Sequence, residues 1–174
     1  MNGRDSLAIH IKRATTDNLE TLYSIERECF TLEAFTKEQL MYLLENSKSI
    51  SLIAQIDNEI AGFIIGLIYD HGTIRTGQVY TIDVAIKHRR KGVGLELLKG
   101  LEQRFVENGV EICYLEARRE NVAALELYRK HGYTEVDVLE SFYSEGVDGV
   151  RLMKKLSPLE KQKIKTQKNK QTRS

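Results

Sequence analysis

Apolar residues recur along this chain with two periods, and the switches between them divide it into elements. Residues 7 to 14, Leu-Ala-Ile-His-Ile-Lys-Arg-Ala, alternate over a few positions as a half-buried strand does. Leu19, Leu22, Ile25 and Cys29 then fall at helical spacing, with Asp17 and Glu20 reading as a reciprocal cap, so a first helix is expected to run to Phe30. Thr36-Lys37-Glu38-Gln39 is a second capping box, followed by the stripe Leu40, Leu43 and Leu44 and a helix end near Asn46. Residues 51–56 and 60–69 are β-rich runs joined by Asp57-Asn58-Glu59, which predicts an antiparallel hairpin. After a loop from Asp70 to Gly77, Gln78–Ile86 reads as a strand that leads straight into a basic, glycine-bearing segment. Leu95, Leu97, Leu98, Leu101, Phe105 and Val106 mark a helix over Val93–Asn108 that Gly109 stops. A strand over Glu111–Ala117, a helix over Asn121–His131 closed by Gly132, and strands over Tyr133–Leu139 and Val147–Lys155 complete the pattern. The order β-α-α-β-β-β-α-β-α-β-β predicts an α+β fold. Its sheet is mixed but mostly antiparallel, with about seven strands, about four flanking helices and one parallel pair across the Val93–Asn108 helix.

Composition narrows this without changing it. A chain of 174 residues, 41% of them hydrophobic, suffices to close one core. No stretch approaches the ~18 apolar residues of a membrane span, and no leader precedes the first strand, so the chain reads as cytoplasmic with no membrane contact. Cys29 and Cys113 are far apart among apolar neighbours and read as core residues in a reducing compartment; no cluster offers a metal site. The net charge of +1 hides an asymmetry, because residues 154–174 hold eight of the 26 Lys and Arg and a single acid, Glu160. A domain over 1–156 and a basic, flexible tail over 157–174 are therefore expected, the tail being either a foothold on RNA or the ribosome or a plain solvated terminus.

The chemistry concentrates where the Gln78–Ile86 strand meets the Val93–Asn108 helix. Arg89-x-x-Gly92-x-Gly94 lies at a strand-to-helix turn, where unpaired N–H groups and the helix dipole attract an anion and glycine lets backbone approach phosphate. Neither Gly-x-Gly-x-x-Gly nor Gly-Lys-Ser/Thr is present, which sets aside the common nucleotide loops. The turn instead resembles the Arg/Gln-x-x-Gly-x-Gly/Ala signature of the Gcn5-related N-acetyltransferase superfamily. Leu115-Glu116-Ala117-Arg118 through Asn121, Ala124, Leu127-Tyr128 and Gly132-Tyr133 resembles the pattern of ribosomal-protein alanine acetyltransferases and of N-terminal acetyltransferase catalytic subunits, as does Phe142 to Met153. The likeness spans about Ile9 to Leu156. Phe142, Gly149 and Ala117 depart from the usual Tyr, Ala and Val, and Thr31–Phe35 lacks the proline of many relatives.

That resemblance implies acetyl transfer from acetyl-coenzyme A, a cosubstrate, straight to an amine without a covalent enzyme intermediate or a metal. It implies Glu116 as the base and Tyr128 as the acid, with Val84, Arg89, Arg90, Lys91, Gly92, Val93, Gly94, Asn121 and Tyr128 on the cofactor and Glu33, Phe35 and Tyr143 on the acceptor. By the same likeness Thr81 and Asp83 point away from the cofactor, and no role falls to His10, His71, His88 or His131. The acceptor implied is the N-terminal α-amine of a protein, with room for an auxiliary subunit. An α-amine has a pKa near ~8 and is partly neutral at cytosolic pH, so a carboxylate acting through water suffices as base. Two other readings stay open here: the same chemistry on a lysine side chain or small amine, and a non-catalytic acetyl-coenzyme-A-binding or ribosome-docking module.

Overall fold

A computed structural model describes residues 7–156; the tail expected over 157–174 lies outside the described residues. Among the described residues, seven strands and four α-helices follow in the order β1 (His10–Arg13), α1 (Leu19–Cys29), α2 (Lys37–Glu45), β2 (Ser49–Ile56), β3 (Glu59–Asp70), β4 (Arg75–Val84), α3 (Val93–Glu107), β5 (Ile112–Arg118), α4 (Val122–Lys130), β6 (Thr134–Ser144) and β7 (Val147–Lys155). The strands make one mixed sheet in the order β1-β2-β3-β4-β5-β7-β6. β1 pairs antiparallel with β2, and β7 antiparallel with both β5 and β6. The expected parallel pair is present: Thr76, Gly77 and Gln78 of β4 face Ile112, Cys113 and Tyr114 of β5, and α3 makes the crossover.

Local chemistry explains most boundaries. The Thr36 box forms as the sequence implies, with Thr36 N–H donating to Gln39 Oε1 at 2.8 Å and Gln39 N–H to Thr36 Oγ1 at 3.2 Å. Ahead of α1 the capping box forms at Thr15 and Asn18, not at Asp17 and Glu20, and Asn18 is the N-cap of α1 itself. A short 3-10 turn over Thr16–Asn18 precedes the helix, and Thr15 N–H donates to Asn18 Oδ1 at 2.9 Å. Asp57 and Asn58 both adopt positive φ (49° and 64°), so the β2–β3 link is a two-residue hairpin turn. β4 starts at Arg75, three residues before the expected Gln78, because the loop closes tightly with His71 N–H on Ile74 O at 2.9 Å. It ends at Val84, since Ile86–His88 winds into a second 3-10 turn.

The described chain divides into two compact units. The first holds Tyr80–Leu101 and the residues up to Gly66, with Leu22, Leu40, Phe63, Ile64, Leu97 and Leu101 in its core. There a Cβ on Gly62 would stand 2.4 Å from Asp83 O, so only glycine lets that backbone come so near. The second unit holds Leu67–Val79 and the residues from Glu102 onward. Its core includes Phe105, Leu115 and Leu152 around a buried polar group: Tyr133 Oη donates to Glu102 Oε1 at 2.8 Å, and Lys154 Nζ pairs with Glu102 Oε2 at 2.9 Å. Burial pushes the neighbouring Cys113 thiol up to about 12, so it is a packing residue, as its apolar neighbours implied. The Lys154 and Glu102 side chains are only 16% and 10% exposed, so removing Lys154 leaves the buried Glu102 carboxylate without that counter-charge. Lys154→Met should cost ~3 kcal/mol and Tyr133→Phe ~1 kcal/mol, read as a lowered urea midpoint at unchanged slope.

Candidate active site

Within the first unit, β4 delivers the chain through the 3-10 turn to Arg89 and then to α3. Gly92 stands at φ 84°, and nothing lies within 4 Å of where its Cβ would be, so the turn opens outward at this residue. Arg90 also has positive φ, 61°. The first backbone bond of α3 runs from Glu96 N–H to Gly92 O at 3.1 Å, which leaves the N–H groups of Val93, Gly94 and Leu95 without intrahelical acceptors. Val93 is buried and pins the helix start, while Arg90 and Lys91 are exposed. This arrangement suits a diphosphate: free N–H donors, the positive end of a 15-residue helix and two exposed cationic residues adjoin an open glycine.

Arg89 is placed differently from Arg90 and Lys91. Its Nε donates to Val84 O at 3.2 Å and its guanidinium reaches Cys29 Sγ at 3.5 Å, so the side chain braces the end of β4. The Val84 carbonyl, expected to face the cofactor, also accepts from Cys29 Sγ at 3.5 Å. Cys29 is half-buried rather than a core residue, and burial raises its thiol, with Asp83 adding to the shift. His88 is buried against Glu59, its Nε2 3.3 Å from Glu59 Oε2. The turn thus has a histidine beneath it.

The acceptor residues assigned to this unit, Glu33 and Phe35, lie in the loop between α1 and α2 and are half-buried. Phe35 N–H donates to Glu26 Oε1 at 3.0 Å. Glu26 itself is 1% exposed, as is Asp83, and Thr81 stands between them. Sequence reasoning missed this group. Its signal lay in parity: Thr81 and Asp83 share the inward face of β4 with Val79, and Glu26 follows Ile25 on the inward side of α1.

Within the second unit, Glu116 lies on β5 directly opposite Arg151 of β7. Arg151 Nε donates to its Oε1 at 3.0 Å and Gln78 Nε2 to its Oε2, and the glutamate side chain is 14% exposed. Two donors therefore fix the carboxylate while its remaining lone pairs stay available. Neither Gln78 nor Arg151 was singled out by its sequence pattern, because cross-strand register cannot be read without the pairing. Tyr128 is buried on α4, with its ring 6.1 Å from Tyr133 in an edge-on contact. Asn121 is the N-cap of α4, its side chain accepting from Ala124 N–H at 3.2 Å, so it shapes the helix start whatever else it touches. Tyr143 packs edge-on against Phe142 at 5.0 Å and lies under the Arg118 guanidinium at 5.3 Å. A Cβ at Gly149 would come within 3.1 Å of Phe142 and 3.2 Å of Tyr143, so two departures from the family pattern, Phe142 and Gly149, pack against one another.

Comparison with known proteins bears on the whole arrangement. The acetyltransferase (GNAT) family profile matches residues 19–133. An N-alpha-acetyltransferase of Sulfurisphaera tokodaii is 33% identical over 115 residues, which is 60% of this chain and 68% of that one. The ribosomal-protein-S18-alanine N-acetyltransferase of Escherichia coli superimposes with a TM-score of 0.78 at 21% identity, over 86% of this chain and 95% of its own. Arabidopsis thaliana NAA60 in complex with acetyl-CoA does so with a TM-score of 0.75 at 20% identity, over 84% of this chain and 97% of its own. At such identities these two structures speak to the fold alone.

Proposed function

Because this chain belongs to the acetyltransferase (GNAT) family and is an acetyl-coenzyme-A-dependent N-acetyltransferase, we propose that its acceptor is the N-terminal α-amine of a protein and that it works in the cytoplasm. The observation that carries the cofactor half is the open Gly92 turn at the start of α3. The acceptor half is supported by its likeness to an N-alpha-acetyltransferase over most of that protein's length. Two unpaired thiols, Cys29 and Cys113, accord with a reducing compartment.

When bound, acetyl-coenzyme A supplies a thioester acetyl group. The open Gly92 turn and the free N–H groups of Val93 and Gly94, with Arg90 and Lys91, would hold its diphosphate, and Arg89 keeps the turn in shape by gripping Val84 O. Glu116, oriented by Arg151 and Gln78, accepts a proton from the α-amine through water. As the amine nitrogen bonds to the acetyl carbonyl carbon and the C–S bond breaks, Tyr128 would give its phenolic proton to the departing sulfur and regain one from solvent. Glu33, Phe35 and Tyr143 contact the acceptor. Lysine, with a pKa near ~10.4, presents far less neutral amine than an α-amine near ~8, so a lone carboxylate favours the latter. Residues 157–174 carry the sequence's basic excess, and contact with RNA or the ribosome through them belongs to the same proposal.

A panel tests the acceptor: a peptide with a free N-terminus, an N-blocked peptide with one lysine, and a small diamine. Turnover on the first at least ~10-fold above the others is expected. Preference for the blocked lysine peptide would move the enzyme to the side-chain class. Truncation after Leu156 should leave peptide turnover unchanged and flatten the salt dependence of RNA binding.

A further inference from the structure

Glu26 and Asp83 are two acids buried side by side, each 1% exposed, on α1 and β4 of the same unit. Thr81 Oγ1 is 3.3 Å from Glu26 Oε2 and 3.2 Å from Asp83 Oδ2. A hydroxyl has one proton to give, so both contacts are hydrogen bonds only when one carboxyl carries a proton and donates it to the hydroxyl. Two carboxylates in one dry site do not both ionise at neutral pH. The titratable and charged groups facing Asp83 are Glu26 and Cys29 from α1 and Arg89 from the following turn. Burial, and then the Glu26 carboxyl, push Asp83 up to about 10, against the opposing pull of Thr81 and Arg89. Both Glu26 oxygens face donors, Oε1 the Phe35 amide and Oε2 the Thr81 hydroxyl, so the shared proton sits on Asp83. Its other oxygen, Oδ1, has no partner among the described residues.

The other oxygen of Glu26 links the pair to function. Its Oε1 accepts the Phe35 amide at 3.0 Å, and Phe35 sits in the loop between α1 and α2 with Glu33, the segment assigned to the acceptor. We propose that Glu26 and Asp83 form a singly protonated positioning pair, which locks Glu26 onto the Phe35 amide and thereby sets the geometry of the acceptor loop. The pair stands on the hydrogen bonds; its consequence for the acceptor rests on the reading of that loop given above.

Three readouts test it, and only one depends on activity. In Glu26→Ala the Phe35 amide should exchange with solvent at least ~10-fold faster, while Glu26→Gln, which keeps a carbonyl for that N–H, should stay near wild type. On the N-terminal peptide, Glu26→Ala should raise the acceptor KM ~10-fold, with the acetyl-coenzyme-A KM within ~2-fold and Glu26→Gln restoring most of the loss. The third readout counts the proton. The folded chain keeps on Asp83 a proton that the unfolded chain has released above ~3.9, so this contribution is whole at acid pH and declines as pH rises toward the raised value. Between pH 6 and 8 the wild-type unfolding constant should therefore rise ~10-fold more per pH unit than that of Asp83→Asn, which folds with a permanent amide donor in place of the acid. Equal pH slopes would overturn the shared proton. Unchanged Phe35 exchange, or an unchanged acceptor KM in a folded Glu26→Ala protein, would overturn the positioning role. If the wild type acetylates no N-terminal peptide, the acceptor reading falls, and exchange and proton count still decide the pair.

Discussion

Gly92→Glu is expected to weaken acetyl-coenzyme-A binding by at least ~100-fold, a loss of ~2.7 kcal/mol, while leaving the chain folded. Two effects add at one residue. Gly92 holds φ 84°, a conformation that costs an L-residue roughly 1–2 kcal/mol. The added carboxylate also brings a negative charge to the place where N–H groups and the helix dipole would meet phosphate. Because nothing lies within 4 Å of the Cβ position, the new side chain meets open space and not the core. Gly92→Ala separates the terms: it carries the backbone strain without the charge, and its binding should fall no more than ~10-fold. Calorimetric titration of both variants, with thermal unfolding to show that they are folded, makes the measurement. Unchanged affinity in a folded Gly92→Glu variant would remove this turn from the cofactor site.

Glu116→Gln and Tyr128→Phe are the second large effect, each expected to lower kcat ~100-fold with acetyl-coenzyme-A affinity nearly unchanged. Their pH profiles should differ. A rising pH supplies more neutral α-amine, so the Glu116→Gln deficit should shrink toward pH 9, whereas Tyr128→Phe lacks a proton donor that alkali does not replace. The hydrogen bond from Arg151 at 3.0 Å adds a control that the chain's pattern did not suggest. Glutamine also loses the charge pair with that arginine; Arg151→Met loses the pair and keeps the carboxylate. As Arg151 is 39% exposed, the pair itself is worth little, and kcat of Arg151→Met should fall less than ~10-fold. A Glu116→Gln enzyme as active as wild type at pH 7 would return the glutamate to the status of a strand charge.

How far the sequence revealed this protein depended on the range of each interaction. Local signals were readable: the Thr36–Gln39 box, the Asp57-Asn58 hairpin turn and the α3 stripe all appear where the residues imply. The parallel β4–β5 pair followed from a helix joining two strands. The expected Asp17–Glu20 box did not form, because Asn18 Oδ1 takes the Thr15 N–H and closes a 3-10 turn ahead of α1. What stayed hidden were contacts between residues distant in sequence. Arg151 meets Glu116 across 35 positions and Thr81 meets Glu26 across 55, and no periodicity encodes either. Arg89 shows the same limit from another side: the spacing marked it correctly as part of the turn, but its grip on Val84 O and Cys29 is a matter of side-chain direction.

One measurement bears most directly on α-amine acetylation. A single peptide with a free N-terminus and one internal lysine, incubated with the enzyme and acetyl-coenzyme A at pH 7, presents both amines at equal concentration, and fragmentation mass spectrometry locates the acetyl group. One acetyl group is expected, on the α-amine, at a rate that Gly92→Glu lowers at least ~100-fold when acetyl-coenzyme A is below saturation. Acetyl on the lysine with the α-amine untouched would contradict it.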